Sequence, residues 1–254
     1  IPLAAVLGVV ILFVIGLQED MGTGLVMLAI MVSMLFAGGI SMRVAAIVIG
    51  ALVVLGLLMI VIAPHRRDRI ATFFQGDAAS VDDAGAYHIA HAKIAIGSGG
   101  LIGVGIGNSV QATGYLPEAI NDSVFAIMGE TFGFVGLVVV LLIFGALLLA
   151  LLKVARQLPG MYEKLIVVGV FGWLAAHVVL NVAAMTGVFP LTGITLPLLS
   201  FGGTSMVFIA AALGLAFQLS SYTTHHVVNE GADYENSRSR RGLGRSRHAS
   251  SSRL

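Results

Sequence analysis

Six long apolar runs govern what this chain can fold into. They cover roughly 2–17, 22–40, 43–63, 124–152, 164–186 and 199–221. A helix crossing the hydrocarbon of a bilayer needs about 20 residues at 1.5 Å each, and every run is close to that length or beyond it. The runs are continuous, whereas a membrane β-barrel would show alternating segments of about ten residues. Lipid offers the backbone no hydrogen-bond partner, so each run must be helical. Composition agrees: 57% of residues are hydrophobic and 11% charged. One soluble core cannot hide that much apolar surface. Soluble enzyme, disulfide scaffold and disordered chain are excluded as readings of the whole. With zero cysteines, thiolate metal sites are excluded too. The expected fold class is an all-α polytopic membrane protein.

The chain opens on Ile1 inside an apolar run, with neither a charged leader nor a small-residue cleavage site. That excludes a signal peptide and reads as a fragment lacking its N-terminal part. Orientation follows from lysine and arginine in short loops. The turn with Lys153, Arg156 and Lys164 is expected in the cytoplasm, which puts the 64–122 loop and the Glu19–Asp20 turn outside. Arg43 and the tail fall inside. Residues 1–222 are expected to form the membrane domain. The tail, 223–254, holds six arginines and almost nothing apolar, which predicts a disordered basic segment.

The 64–122 loop is far longer than an ordinary connection, and such loops are usually functional or disordered. It carries an amphipathic, helix-like run from Tyr87 to Ile96, then the glycine-rich GSGGLIGVGIGNSVQ at 97–111, then GYLPEAIND at 114–122. The glycines do not follow a nucleotide-binding spacing. They suit a turn in which backbones approach closely. Glu118 and Asp122 lie four apart and would share one helix face. Asp122 can serve as a helix N-cap or as a general base whose pKa partial burial raises. Arg66, Arg67 and Arg69 can snorkel at the interface or bind an anionic group. Lys93 is the one lysine of the loop, near His88 and His91, a pair that lacks the third ligand of a metal site. Glu130, His177 and Asn181 lie inside predicted spans, where polar groups bond between helices or mark a site.

Several stretches taken jointly resemble one family. LQEDMGTG (17–24), RRDRIATF (66–73), YHIAHAKIAIGSGGLIGVGIGNSVQ (87–111), YLPEAINDSVFAIMGETFGFVG (115–136) and MTGVFPLTGITLPLLSFGGTS (185–205) are similar, in order, to the SEDS family that includes FtsW and RodA. The GNSVQ and LPEA forms resemble the FtsW branch. The resemblance implies a ten-span membrane glycosyltransferase that polymerises lipid II into peptidoglycan strands. The six runs would be its last six spans, and 64–122 its large extracytoplasmic loop. The family pattern L-P-E-x-H-T-D-F falls on Leu116 to Ser123 and places Asp122 at the catalytic acid. Ile120 and Asn121 stand where the family has His-Thr, and Ser123 where it has Phe.

The resemblance implies Asp122 as the base; Arg66, Arg69 and Lys93 are the cations available on that side to bind the leaving pyrophosphate of the substrate, and Glu118, close by in sequence, is expected to support substrate binding. No cofactor is expected, although a divalent cation could assist. The implied partners are lipid II, undecaprenyl pyrophosphate, membrane lipid, a class B penicillin-binding protein and other division proteins, with no nucleic acid. The implied location is the bacterial plasma membrane. A lipid-linked precursor transporter, or a non-catalytic scaffold for a penicillin-binding protein, are the alternative readings.

Overall fold

The computed structural model describes residues 21–41, 43–51, 54 and 84–221, all helix, turn or irregular chain with no strand among them. The expected first span, most of the third beyond residue 51, the Glu19–Asp20 turn, Arg66, Arg67, Arg69 and the tail lie outside the described residues. Five helices are labelled here: α1 (Met21–Ala37), α2 (Ala84–Ser98), α3 (Val124–Gln157), α4 (Met161–Met185) and α5 (Gly203–Ser221). A further helical stretch occupies 43–51. Among the described residues α3, α4 and α5 are long and apolar enough to cross a membrane. The spans expected at 124–152, 164–186 and 199–221 are thus met by α3, α4 and α5, whereas the run 22–40 forms the shorter apolar helix α1.

α4 is the central element. α1 packs along one side of it and α3 along another, while α2 lies across the first turns of α3 and the end of α4. Small residues bring α1 and α4 together. A Cβ on Gly172 would stand 2.2 Å from Ser33 Oγ, and that hydroxyl donates to Ile30 O at 2.7 Å within its own helix. Without a hydrophobic drive between helices in lipid, such close contact is what holds them.

At 34 residues, α3 is too long for a straight crossing of about 30 Å. It is broken at Gly133, which takes φ 68° and ψ −169°. The break frees backbone groups, and the glycine-rich stretch takes them up. Val104 N donates to Glu130 O at 2.9 Å and Gly105 N to Thr131 O at 3.1 Å. In return Phe134 N donates to Gly100 O at 2.9 Å and Val135 N to Leu101 O at 3.1 Å. These four bonds take the place of backbone bonds that α3 forgoes at its break. The approach admits no side chain. A Cβ on Gly103 would lie 2.2 Å from Thr131 O, and one on Gly133 would lie 2.3 Å from Gly103 N.

The expected span 199–221 begins as a helix only at Gly203. Residues 190–202 run irregularly, with Ile194, Leu196 and Ser200 buried. Backbone at that depth needs protein partners. α4 supplies two: Asn181 Nδ2 donates to Ile194 O at 2.7 Å, and His177 Nδ1 lies 3.1 Å from Thr195 O.

Candidate functional site

The chain preceding α3 is not helical, which corrects the expectation that Glu118 and Asp122 share one helix face. Pro117 has no N–H to give a helix, and Glu118 sits in the left-handed region at φ 48°. Residues 114–123 form successive turns instead. Asn121 N and Ser123 N both donate to Glu118 O, at 2.9 and 3.2 Å. The two carboxylates part as a result. Glu118 is exposed and accepts a short bond from Asn121 Nδ2. Asp122 is buried at 8% exposure, and Ser123 is fully buried.

Asp122 is not a helix cap. The cap position of α3 is Ser123, and its side chain makes no capping bond. Instead Ser123 Oγ donates to Pro117 O at 2.8 Å. The same oxygen lies 2.6 Å from His88 Nε2 and 3.5 Å from Asp122 Oδ1. The Asp122 backbone is held from the other side, where Asn181 Nδ2 donates to Asp122 O at 2.7 Å. One amide of α4 therefore grips both the Asp122 segment and the irregular chain before α5.

His88 reaches this site because α2 buries one narrow stripe. His88, Ala92 and Ala95 are its buried residues, at the i, i+4, i+7 spacing of a helix face. The alanines let α2 lie close to Phe125 and Ala126 at the start of α3 and to Met185 at the end of α4. Sequence reading missed His88 as a partner of Asp122. The pair is 34 residues apart in sequence, and the one local signal was the buried-face register with Ala92 and Ala95.

Burial pushes the Asp122 carboxyl up from its ordinary pKa, and the charge of Glu118 adds a little; His88 and the hydrogen bonds at Asp122 pull it back. Burial pushes the His88 imidazole down, while Asp122 and Glu118 pull it back up. A carboxylate held this way is a better proton acceptor than one in water.

Beside the site lies an apolar cavity of about 540 Å³. Ile120 and Val124, which bracket Asp122 in sequence, line it with Ile127, Leu199, Phe201 and Met206, although Asp122 itself does not. Phe201 N donates to Ile120 O at 2.8 Å and closes one wall. This volume lies in the usual range for a ligand pocket.

The other predicted residues fall elsewhere. Lys93 is exposed, and its stem crosses Gly187, where a Cβ would meet its Cε at 2.4 Å. Glu130 is spent on the loop: Ser109 Oγ donates to it at 2.5 Å, Val110 N at 2.9 Å and Gln111 N at 3.2 Å. His91 Nδ1 lies 2.8 Å from Gln111 Oε1, so His88 and His91 have separate partners. His177 accepts from Trp173 Nε1 at 3.0 Å.

The model of a family of cell cycle proteins that takes in FtsW, RodA and SpoVE matches residues 1–225. The chain belongs to this family. It is 36% identical over 211 residues to stage V sporulation protein E of Bacillus subtilis, covering 82% of this chain and 56% of that protein. It is 35% identical over 246 residues to the probable peptidoglycan glycosyltransferase FtsW of Nitrosomonas europaea, covering 96% of this chain and 59% of that protein. The chain thus spans somewhat more than half the length of these relatives. A structure titled for the coordination of polymerization and crosslinking by a peptidoglycan synthase complex aligns at TM-score 0.68 and 27% identity. It covers 87% of this chain and 62% of that one. A mutant of the rod shape determining protein RodA of Thermus thermophilus aligns at TM-score 0.57 and 28% identity, covering 87% of this chain and 56% of that one. The multi-pass helical membrane fold of the FtsW/RodA family is therefore that of this chain.

Proposed function

We propose that this chain carries the acid–base centre of a membrane glycosyltransferase that polymerises lipid II into peptidoglycan strands. One observation carries the reading: a carboxylate buried beside an imidazole, at the mouth of a span and next to an apolar cavity. Relatives named as probable peptidoglycan glycosyltransferases support the substrate class. In this reading Asp122 accepts the proton of the acceptor sugar hydroxyl. The freed oxygen attacks the anomeric carbon of the growing strand, and undecaprenyl pyrophosphate leaves. The cavity lined by Ile120, Ile127 and Phe201 suits an apolar lipid chain. Arg66, Arg69 and Lys93 are the cations proposed for the departing pyrophosphate, with Glu118 supporting the acceptor side. A divalent cation could share that task.

The site is proposed to face outward from the plasma membrane, in cell division, with a class B penicillin-binding protein as partner. The structural neighbour's title, a peptidoglycan synthase complex, supports such a partnership. A transporter would use polar groups inside spans, but Glu130 and His177 are each tied to neighbouring chain, which favours the enzyme.

The test is Asp122→Asn in the full-length protein. Asparagine keeps the volume but accepts no proton, so glycan polymerisation from lipid II is expected to fall by about 10²- to 10⁴-fold with insertion unchanged. Polymerisation at the wild-type rate would remove Asp122 as the base.

A further inference from the structure

His88 is a buried titratable group that the proposed chemistry does not use, yet it touches the peptide carrying Asp122. It is 8% exposed, and its Nε2 lies 2.6 Å from Ser123 Oγ. The Ser123 hydroxyl has one proton. Directed at Pro117 O, 2.8 Å away, it leaves an oxygen lone pair for an N–H of His88, so all three groups are satisfied together. Rotated toward Asp122 Oδ1 at 3.5 Å, the same hydrogen leans on the carboxylate. Ser123 follows Asp122 directly and spends no bond on capping α3. The bond from α2 therefore grips the Asp122 peptide itself.

The charges around His88 are few. Asp122 and Glu118 are the groups whose fields act on it. On its own helix, His91 is bonded to Gln111, and Lys93, five residues on, lies about 140° around the helix. On α3, Glu130 is filled by the 109–111 turn, and on α4 His177 is held by Trp173 and Thr195. A proton taken up by the imidazole therefore acts first on Asp122.

We propose that His88 is a positioning residue for Asp122: through Ser123 it fixes the Asp122 peptide against α2, and its imidazole sets the charge beside the carboxylate. The proposal rests on Asp122 being the base. Its sign follows from charge, over the pH range in which the imidazole, itself pushed down by burial, holds its proton. A charged imidazole favours the ionised carboxylate, so Asp122 stays a base to lower pH. With that charge removed, burial acts unopposed by His88 and Asp122 takes its proton at higher pH.

The test compares pH–rate profiles of glycan polymerisation by the full-length protein. His88→Gln retains an N–H for Ser123 Oγ but cannot be charged. Its acid limb is expected to move up by about one pH unit, the lower end of the effect of a close opposite charge. At the wild-type midpoint its rate should then be several-fold lower relative to its own plateau. A loss that is merely structural would scale all pH values alike. Ser123→Ala removes the grip and leaves the imidazole; its plateau rate is expected to fall about tenfold, as for a lost bond of roughly 1.4 kcal/mol, and Ser123→Thr to restore it. An acid limb of His88→Gln superimposed on wild type overturns the charge role. A wild-type plateau in Ser123→Ala overturns the grip, and this variant reports even where His88→Gln fails to insert. Neither result touches the Asp122→Asn outcome, which alone decides whether Asp122 is the base.

Discussion

A carboxylate buried to 2% exposure, as Glu130 is, must be met by donors. Here they all come from the stretch that threads past α3: a serine hydroxyl and two backbone N–H groups at 109–111. The two N–H groups stand at the start of the short 3₁₀ turn Gln111–Thr113, whose orphan donors an acidic group satisfies. Glu130→Ala would strand these donors in the interior. It is expected to cost on the order of 3 kcal/mol, read as a lower thermal midpoint in detergent. Glu130→Gln, which still accepts, should cost less than half of that. Equal stability of all three proteins would mean the loop is held by something else. Residue by residue, the site was only partly readable in the sequence. Asp122 stood out because its neighbours Leu116, Pro117 and Glu118 form a motif. His88 did not, since its meaning depends on a contact across the loop. Ser123, where the family pattern has Phe, was a departure whose hydroxyl gains a role only once α2 is in place.

Hydropathy locates whole elements well because a bilayer fixes their length and forces them to be helical. It does not locate the break in α3. A run such as GETFGFVGL reads as a continuous apolar helix, and only the glycine-rich segment at 100–105 explains why Gly133 leaves the helical region. The start of α5 was missed by four residues for a related reason: apolar side chains at 199–202 suit a buried irregular segment as well as a span. The splice between loop and helix makes a sharp prediction. Gly103 and Gly107 both have positive φ, 81° and 86°, but only Gly103 lacks room for a Cβ. Gly107→Ala should cost about 1–2 kcal/mol, the strain of a left-handed alanine. Gly103→Ala carries the same strain plus a displaced backbone, and should lower the thermal midpoint at least twice as far. Equal shifts would show that the close approach to Thr131 contributes no stability.

At the level of the whole molecule, the helices sort the charges to opposite ends. The start of α3, the end of α4 and the start of α5 meet where Asp122, His88 and the cavity lie. The short Leu158–Gly160 turn between α3 and α4, flanked by Lys153, Arg156 and Lys164, lies at the other end. Basic short loops stay on the cytoplasmic side. On that rule the Asp122 end is expected to face outward, the side proposed for assembly of a wall polymer. Ala112 and Gln157 are exposed residues near the two ends, and the 254 residues contain no native thiol to compete. Ala112→Cys is expected to react with a membrane-impermeant maleimide in intact spheroplasts, and Gln157→Cys only after the membrane is opened. Neither substitution touches the Asp122–Ser123–His88 contacts, so both proteins should remain inserted. The reverse pattern would put Asp122 in the cytoplasm, and the proposed polymerase reading would fall with the topology.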